Sequence, residues 1–260
     1  MRMTMGNPSV RRLVRKAQNG QLTEGGAAAS YKGVYLKTAL YVCLTIIAAV
    51  ATELSIFYAI ANGYIAQALT ALGIATGVCF IPLIAIVLII TFVPSTVKVL
   101  GCIYAILQGG LLGLVASMID VVMPGVAFAA FCATAVVFIV SLIVNRFAKL
   151  RISSDFVRGL TTVFISLLAV QLVMFALSLF GVFNYTAYIW VQLAVSAVCV
   201  VWATLMLFWD LNNADMLVQF GADKKYEWNV AFSLTTTLIY LYVEILEIIV
   251  RLVALFGRNN

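Results

Sequence analysis

The chain reads as seven apolar runs separated by short polar punctuation. At about 20 apolar residues per bilayer crossing, the runs predict spans over residues 38–61, 67–93, 97–118, 121–145, 156–182, 186–211 and 229–256. Turn-forming residues mark the joins: Asn62 and Gly63 after the first run, Pro94 and Ser95 after the second, Asp120 with Pro124 and Gly125 around the third join. Residues 145–155, with Arg146, Lys149 and Arg151, make the clearest break, and Ser153 to Asp155 offer N-cap chemistry for the fifth span. Asn184 marks a short turn before the sixth, and Pro82 is expected to kink the second. The expected fold is an all-α polytopic membrane protein with seven transmembrane helices.

The last run departs from its neighbours because it carries Glu244, Glu247 and Arg251. Spacings of three and seven residues from Glu244 put all three side chains within about 60° of one another on a helix. A charge at the bilayer centre costs roughly 2.5 to 3.5 kcal/mol on insertion scales, so such a stripe should face the bundle interior or water. The last helix is therefore expected at the centre, surrounded by the other six. Asp210 stands in Phe208-Trp209-Asp210-Leu211-Asn212-Asn213, toward the end of the sixth run. If that helix continues to about Phe220, Asp210 lies ~15 Å from its end, and Glu244 lies ~24 Å along a last helix starting near Trp228. With that start somewhat below the membrane, the two carboxyls meet near mid-depth. Two carboxylates in one low-dielectric site cannot both ionise cheaply, so Asp210 and Glu244 form a candidate pH-sensing pair that shares a proton. Glu247 and Arg251, at i, i+4, read more readily as an internally neutralised structural pair. Glu247, Arg251, Asn212 and Glu53 of the first run are the candidate supporting polar residues.

Composition supports the membrane assignment: of 260 residues 64% are hydrophobic and only 10% charged, more apolar than a soluble core of this size needs. The net charge of +6 does not point to nucleic acid, because the basic residues sit between apolar runs rather than on a soluble patch. The amino-terminal segment, the connection with Lys98, the one with Arg146 to Arg158 and the one with Lys224 and Lys225 alternate with connections lacking Lys and Arg. That alternation predicts a cytoplasmic amino terminus. Residues 1–34 are expected to be a basic, partly disordered cytoplasmic tail with no cleavable signal peptide, and residues 35–260 the seven-helix transmembrane domain. Seven full crossings put Arg258 outside, so six spans plus a partly re-entrant last helix is the alternative topology.

The chain has no histidine, which excludes His metal ligands, His general bases, HExxH zinc proteases and a Ser/His dyad. Cys43, Cys79, Cys102, Cys132 and Cys199 lie in apolar runs without CxxC spacing and read as small buried hydrophobes. Two membrane acids alone would allow an aspartyl protease, but no GxGD run is present. The last run has no lysine for a retinal Schiff base, and the charge bias opposes a G-protein-coupled receptor. No catalytic residue, metal or cofactor is expected. Gly109 and Gly113 form a GxxxG pair that reads as a packing face.

The motifs at these places resemble the Bax inhibitor-1 family of transmembrane Bax inhibitor motif proteins. They are Trp209-Asp210-Leu211-Asn212, Ile239 to Leu246, Arg251 to Gly257, Tyr104 to Gly109, and Gly6 to Arg12, the last resembling a mainly bacterial branch. The resemblance implies seven helices with the last one central, a proton-sensitive acid pair carried here by Asp210 and Glu244, and calcium leak across a membrane. Two departures stand out: the second acid is Glu rather than Asp, and Phe80 and Thr91 fall near an acid and a base that some members carry around the second helix. The leading expectation is a pH-responsive cation leak, with calcium as the implied ion, in a bacterial plasma membrane. The alternative is a non-transporting regulator that binds other membrane proteins, such as proteases or stress-response partners.

Overall fold

A computed structural model describes residues 28–148, 153–179 and 185–256. Most of the expected tail, the Gly6 to Arg12 motif, Lys149, Arg151, Asn184 and Arg258 lie outside the described residues. The described chain forms seven α-helices: α1 (Tyr31–Ala61), α2 (Ile65–Phe92), α3 (Val97–Val122), α4 (Val126–Ala148), α5 (Ser154–Leu179), α6 (Tyr185–Gln219) and α7 (Glu227–Phe256). They coincide one for one with the seven predicted spans. Among the described residues, α1, α3, α4, α5 and α6 are long and apolar enough on their own to cross a membrane. Large apolar side chains stand exposed along them, among them Ile47, Leu54, Phe128 and Leu172. Such a surface belongs in hydrocarbon, where a helix satisfies its own backbone groups. The protein is an all-α polytopic membrane protein.

The helix ends follow local chemistry. α1 begins ahead of its apolar run because Ser30 caps it, its Oγ accepting from the Gly33 N–H at 3.0 Å. Ser153 caps α5 as the sequence indicates, accepting from the Phe156 N–H at 3.2 Å. Gly63 and Gly125 occupy the turns after α1 and α3 with φ of 82° and 83°, a left-handed conformation that glycine enters without a Cβ penalty. α2 runs through Pro82, which takes one N–H out of its ladder. α6 continues past its apolar run to Gln219, so Asp210, Asn212, Asn213 and Asp215 all lie on helix.

The described residues divide into two compact units, 28–124 with 217–235, and 125–216 with 236–256. In the first, α3 lies against α1 through a column of small residues. A Cβ on Gly109 would collide with the Thr45 carbonyl and one on Gly113 with the Ala49 carbonyl. The GxxxG face thus packs two helices of one protomer at backbone contact. Tyr41 closes that interface, donating its hydroxyl to the Val97 carbonyl at 2.9 Å, and its ring meets Trp228 and Phe232 edge-on. Glu227, fully buried, accepts from the Ser30 N–H at 2.8 Å and from Lys37 Nζ at 2.5 Å, fastening the start of α7 to the start of α1.

In the second unit, Phe164 of α5 stacks on Trp202 of α6 with centroids 3.9 Å apart, and Tyr240 of α7 meets both rings edge-on. Trp202 Nε1 donates to the Leu160 carbonyl at 2.9 Å, so the polar edge of the ring is satisfied within the bundle. Asn145 of α4 donates to Asp215 of α6 at 3.2 Å. Buried residues recur along α7 from Glu227 to Leu246, in keeping with its expected interior role. Of the cysteines only Cys199 is buried; Cys43 and Cys132 stand exposed on apolar helices, where a small thiol is as compatible with lipid as with a core.

Candidate functional site

The polar groups of the second unit gather on the facing surfaces of α6 and α7. Asp210 is buried to 2% exposure and accepts a hydrogen bond at 2.6 Å from the Thr237 hydroxyl. Thr237 reaches it because α6 continues as helix through this polar stretch, holding the carboxyl inside the bundle instead of in a loop. Glu244 lies seven residues beyond Thr237, two turns or about 10.5 Å further along α7, and is also buried, at 5% exposure. The Tyr240 and Ser196 hydroxyls lie beside its carboxyl, while its Oε2 has no hydrogen-bond partner. Tyr240, one turn before Glu244 on the same face, also neighbours Cys199.

Glu247 and Arg251 form the expected i, i+4 pair at 2.6 Å. Arg251 does more than neutralise Glu247: its Nη1 donates to Ser196 Oγ and, at 3.3 Å, to the Gln192 carbonyl, so the guanidinium ties α7 to α6. Ser196, fully buried, is the junction between the charged pair and Glu244. Its hydroxyl has a single proton to donate, and both Glu244 and Glu247 are within its reach, the latter at 3.5 Å. Sequence reading missed Ser196, Thr237 and Tyr240. The signal was present for the last two, which lie seven and four residues before Glu244 and so on its helical face.

The remaining candidates are placed separately. The Asn212 Nδ2, two residues after Asp210 on α6, is buried without a hydrogen-bond partner among the described residues. Glu53 belongs to the first unit, half-buried on α1, where its carboxyl neighbours Asp120 of α3. Asp120, read from the sequence as the end of a span, is thus a partner of an intramembrane acid.

A seven-helix membrane chain with buried acids on its last two helices is the arrangement that the motifs led us to expect. Over residues 7–254 the chain matches the family described as Bax inhibitor 1 like. It belongs to that family. No curated protein and no solved structure matches the chain. The match covers six helices in full, the seventh to residue 254, and every candidate site residue, so Asp210, Glu244, Glu247 and Arg251 belong to the family's shared region rather than to an appended segment.

Proposed function

We propose that this Bax inhibitor 1 like protein is a slow, pH-responsive leak pathway for cations, with calcium the foremost candidate, and that Asp210 and Glu244 are its proton-sensitive groups. The observation that carries the reading is the burial of both acids on apolar helices with hydroxyl neighbours, Thr237 for Asp210 and Tyr240 with Ser196 for Glu244. The stripe's own cation, Arg251, is committed to Glu247 at 2.6 Å. Deprotonation at Asp210 or Glu244 adds negative charge between α6 and α7. That charge attracts a cation and repels its neighbours, and it shifts population toward any conformation that hydrates it. Two acids are far from the ring of carboxylates or carbonyls that lines a selective pore, so flux should be slow and weakly selective.

The test is calcium entry into proteoliposomes from mildly acidic to mildly alkaline pH, with the natural protein beside Asp210→Asn and Glu244→Gln. A pH-dependent flux whose dependence either substitution removes supports the reading. A folded natural protein that passes no more calcium than empty liposomes sinks it, and leaves the non-transporting regulator of other membrane proteins as the reading to pursue.

A further inference from the structure

The lysines at one end of the first unit are unequally answered by acids. Lys37 pairs with Glu227 at 2.5 Å and Lys225 with Asp223 at 2.9 Å. Lys98 at the start of α3 and Lys224 in the turn before α7 are both exposed, and among the described residues no carboxylate pairs with either. Lys98 lies beside an aromatic ring, and Lys224 is tied to the same place through its backbone. Lys98 Nζ stands 5.9 Å from the Trp228 ring centroid and Lys37 Nζ 4.9 Å from it, while Lys37 Nζ also bonds the Lys224 carbonyl at 3.2 Å. Leu36 and Val99, next in the chain to Lys37 and Lys98, and Phe92 at the end of α2 present exposed apolar side chains of the kind that face acyl chains. The turns after α1 and α3, at the opposite ends of those helices, carry no Lys or Arg.

We infer that Lys98 beside Trp228, together with Lys224 in the turn that leads into α7, forms a binding site for the phosphate headgroup of an anionic phospholipid. Three features of the patch fit this occupant together: unneutralised ammonium groups for the phosphate, an indole that favours the interface between headgroup and hydrocarbon, and an apolar rim for the chains. Glu227 sharpens the site by holding Lys37 in place, so the ammonium that shares the ring with Lys98 is already neutralised. The inference is independent of whether the protein conducts ions.

Purified full-length protein in zwitterionic detergent is titrated with phosphatidylglycerol, phosphatidylcholine or soluble glycerol phosphate while its unfolding temperature and bound lipid are measured. Phosphatidylglycerol is expected to bind saturably and to raise the unfolding temperature, with phosphatidylcholine and glycerol phosphate doing neither. A lysine at the membrane surface contributes about fivefold in affinity for anionic lipid. Lys98→Gln and Lys224→Gln should each weaken binding by about that factor, their combination should remove the preference, and Lys98→Arg with Lys224→Arg should keep it. Arg158→Gln, which alters an exposed pair with Asp155, serves as the charge control and should leave binding unchanged. Undiminished preference in the double Gln variant, an equal loss in the Arg158 control, or full stabilisation by glycerol phosphate would each overturn the lipid site. If the double variant does not fold, the two single variants decide by the same criterion.

Discussion

Thr237 on α7 donates its hydroxyl to Asp210 Oδ2 on α6 at 2.6 Å, two helical turns before Glu244. A threonine on the last helix thus supplies a hydrogen bond to a carboxylate from the sixth. Interhelical hydrogen bonds in membranes average about 0.6 kcal/mol and reach about 1.7. Thr237→Val is expected to destabilise the protein at the upper part of that range, because Asp210 remains buried. In a double-mutant cycle with Asp210→Asn the coupling should be at least about 0.5 kcal/mol, as for side chains in direct contact. Unfolding in a mixed-detergent titration measures both; additive effects would remove the bond from the account.

The α1–α3 interface makes opposite predictions for neighbouring glycines. A Cβ at Gly113 meets the Ala49 carbonyl backbone, which cannot move aside without separating the helices, so Gly113→Ala should cost about 1–3 kcal/mol, the usual range for overpacking. At Gly110 the nearest atom is Thr52 Oγ1 at 3.7 Å, an ordinary contact. Gly110→Ala should therefore be neutral or gain up to about 1 kcal/mol from helix propensity. Thermal unfolding of the two variants side by side checks the sign in each case.

Much of this fold was legible in the sequence, and the reason is physical. Hydrocarbon demands about 20 apolar residues in a row, so the seven runs mark seven helices with little ambiguity. Within helices the stripe of Glu244, Glu247 and Arg251 was equally legible, because angular position follows from spacing alone. Which residue of another helix each one meets was not. The partner of Asp210 is fixed by the relative axial position of α6 and α7, and that depends on where each helix starts. The start of α7 is set by Asp223 and Glu227 through capping and ion-pair contacts that no periodicity announces. Glu53 and Asp120 show the same limit, since their proximity depends on the glycine-lined approach of α3 to α1.

Asp223 lies in the turn between α6 and α7, and its hydrogen bond from Lys225 holds its carboxyl below the ordinary carboxylate range, with the lysine charge adding to the effect. A carboxyl with a depressed folded-state pKa contributes stability above its unfolded pKa and loses it as pH falls through the folded value. Lys225→Met should raise the Asp223 titration midpoint toward the ordinary value, as read by carboxyl carbon chemical shifts. The accompanying loss of stability should appear at neutral pH, disappear in acid and stay well under about 1 kcal/mol, because Lys225 is mostly solvent-exposed. A midpoint that does not move in the variant would discount the contact.

The Lys37–Glu227 pair belongs to a different energetic class from the Arg158–Asp155 pair, although both are ion pairs between a basic and an acidic side chain. Glu227 is fully buried and the Lys37 side chain is 13% exposed, whereas the Arg158 and Asp155 side chains are 54% and 74% exposed. Removing one partner of a buried pair strands the other charge, at a cost of about 3–5 kcal/mol; an exposed pair contributes at most about 1 kcal/mol. Glu227→Gln and Lys37→Met should each destabilise strongly, and Glu227→Gln the more, because Glu227 also accepts the Ser30 N–H at the start of α1. Replacing both at once with apolar side chains removes the stranded charge, so Lys37→Met with Glu227→Leu should cost clearly less than the sum of the single changes. Asp155→Asn should barely register. Gly33→Ala tests the same junction without touching a charge: its Cβ would collide with the Glu227 carboxylate and push it off the α1 cap. Unfolding midpoints for this set, measured in one detergent, would show the order Glu227→Gln, Lys37→Met, double variant, Asp155→Asn from most to least damaging. An additive double variant would mean that the two charges do not depend on one another.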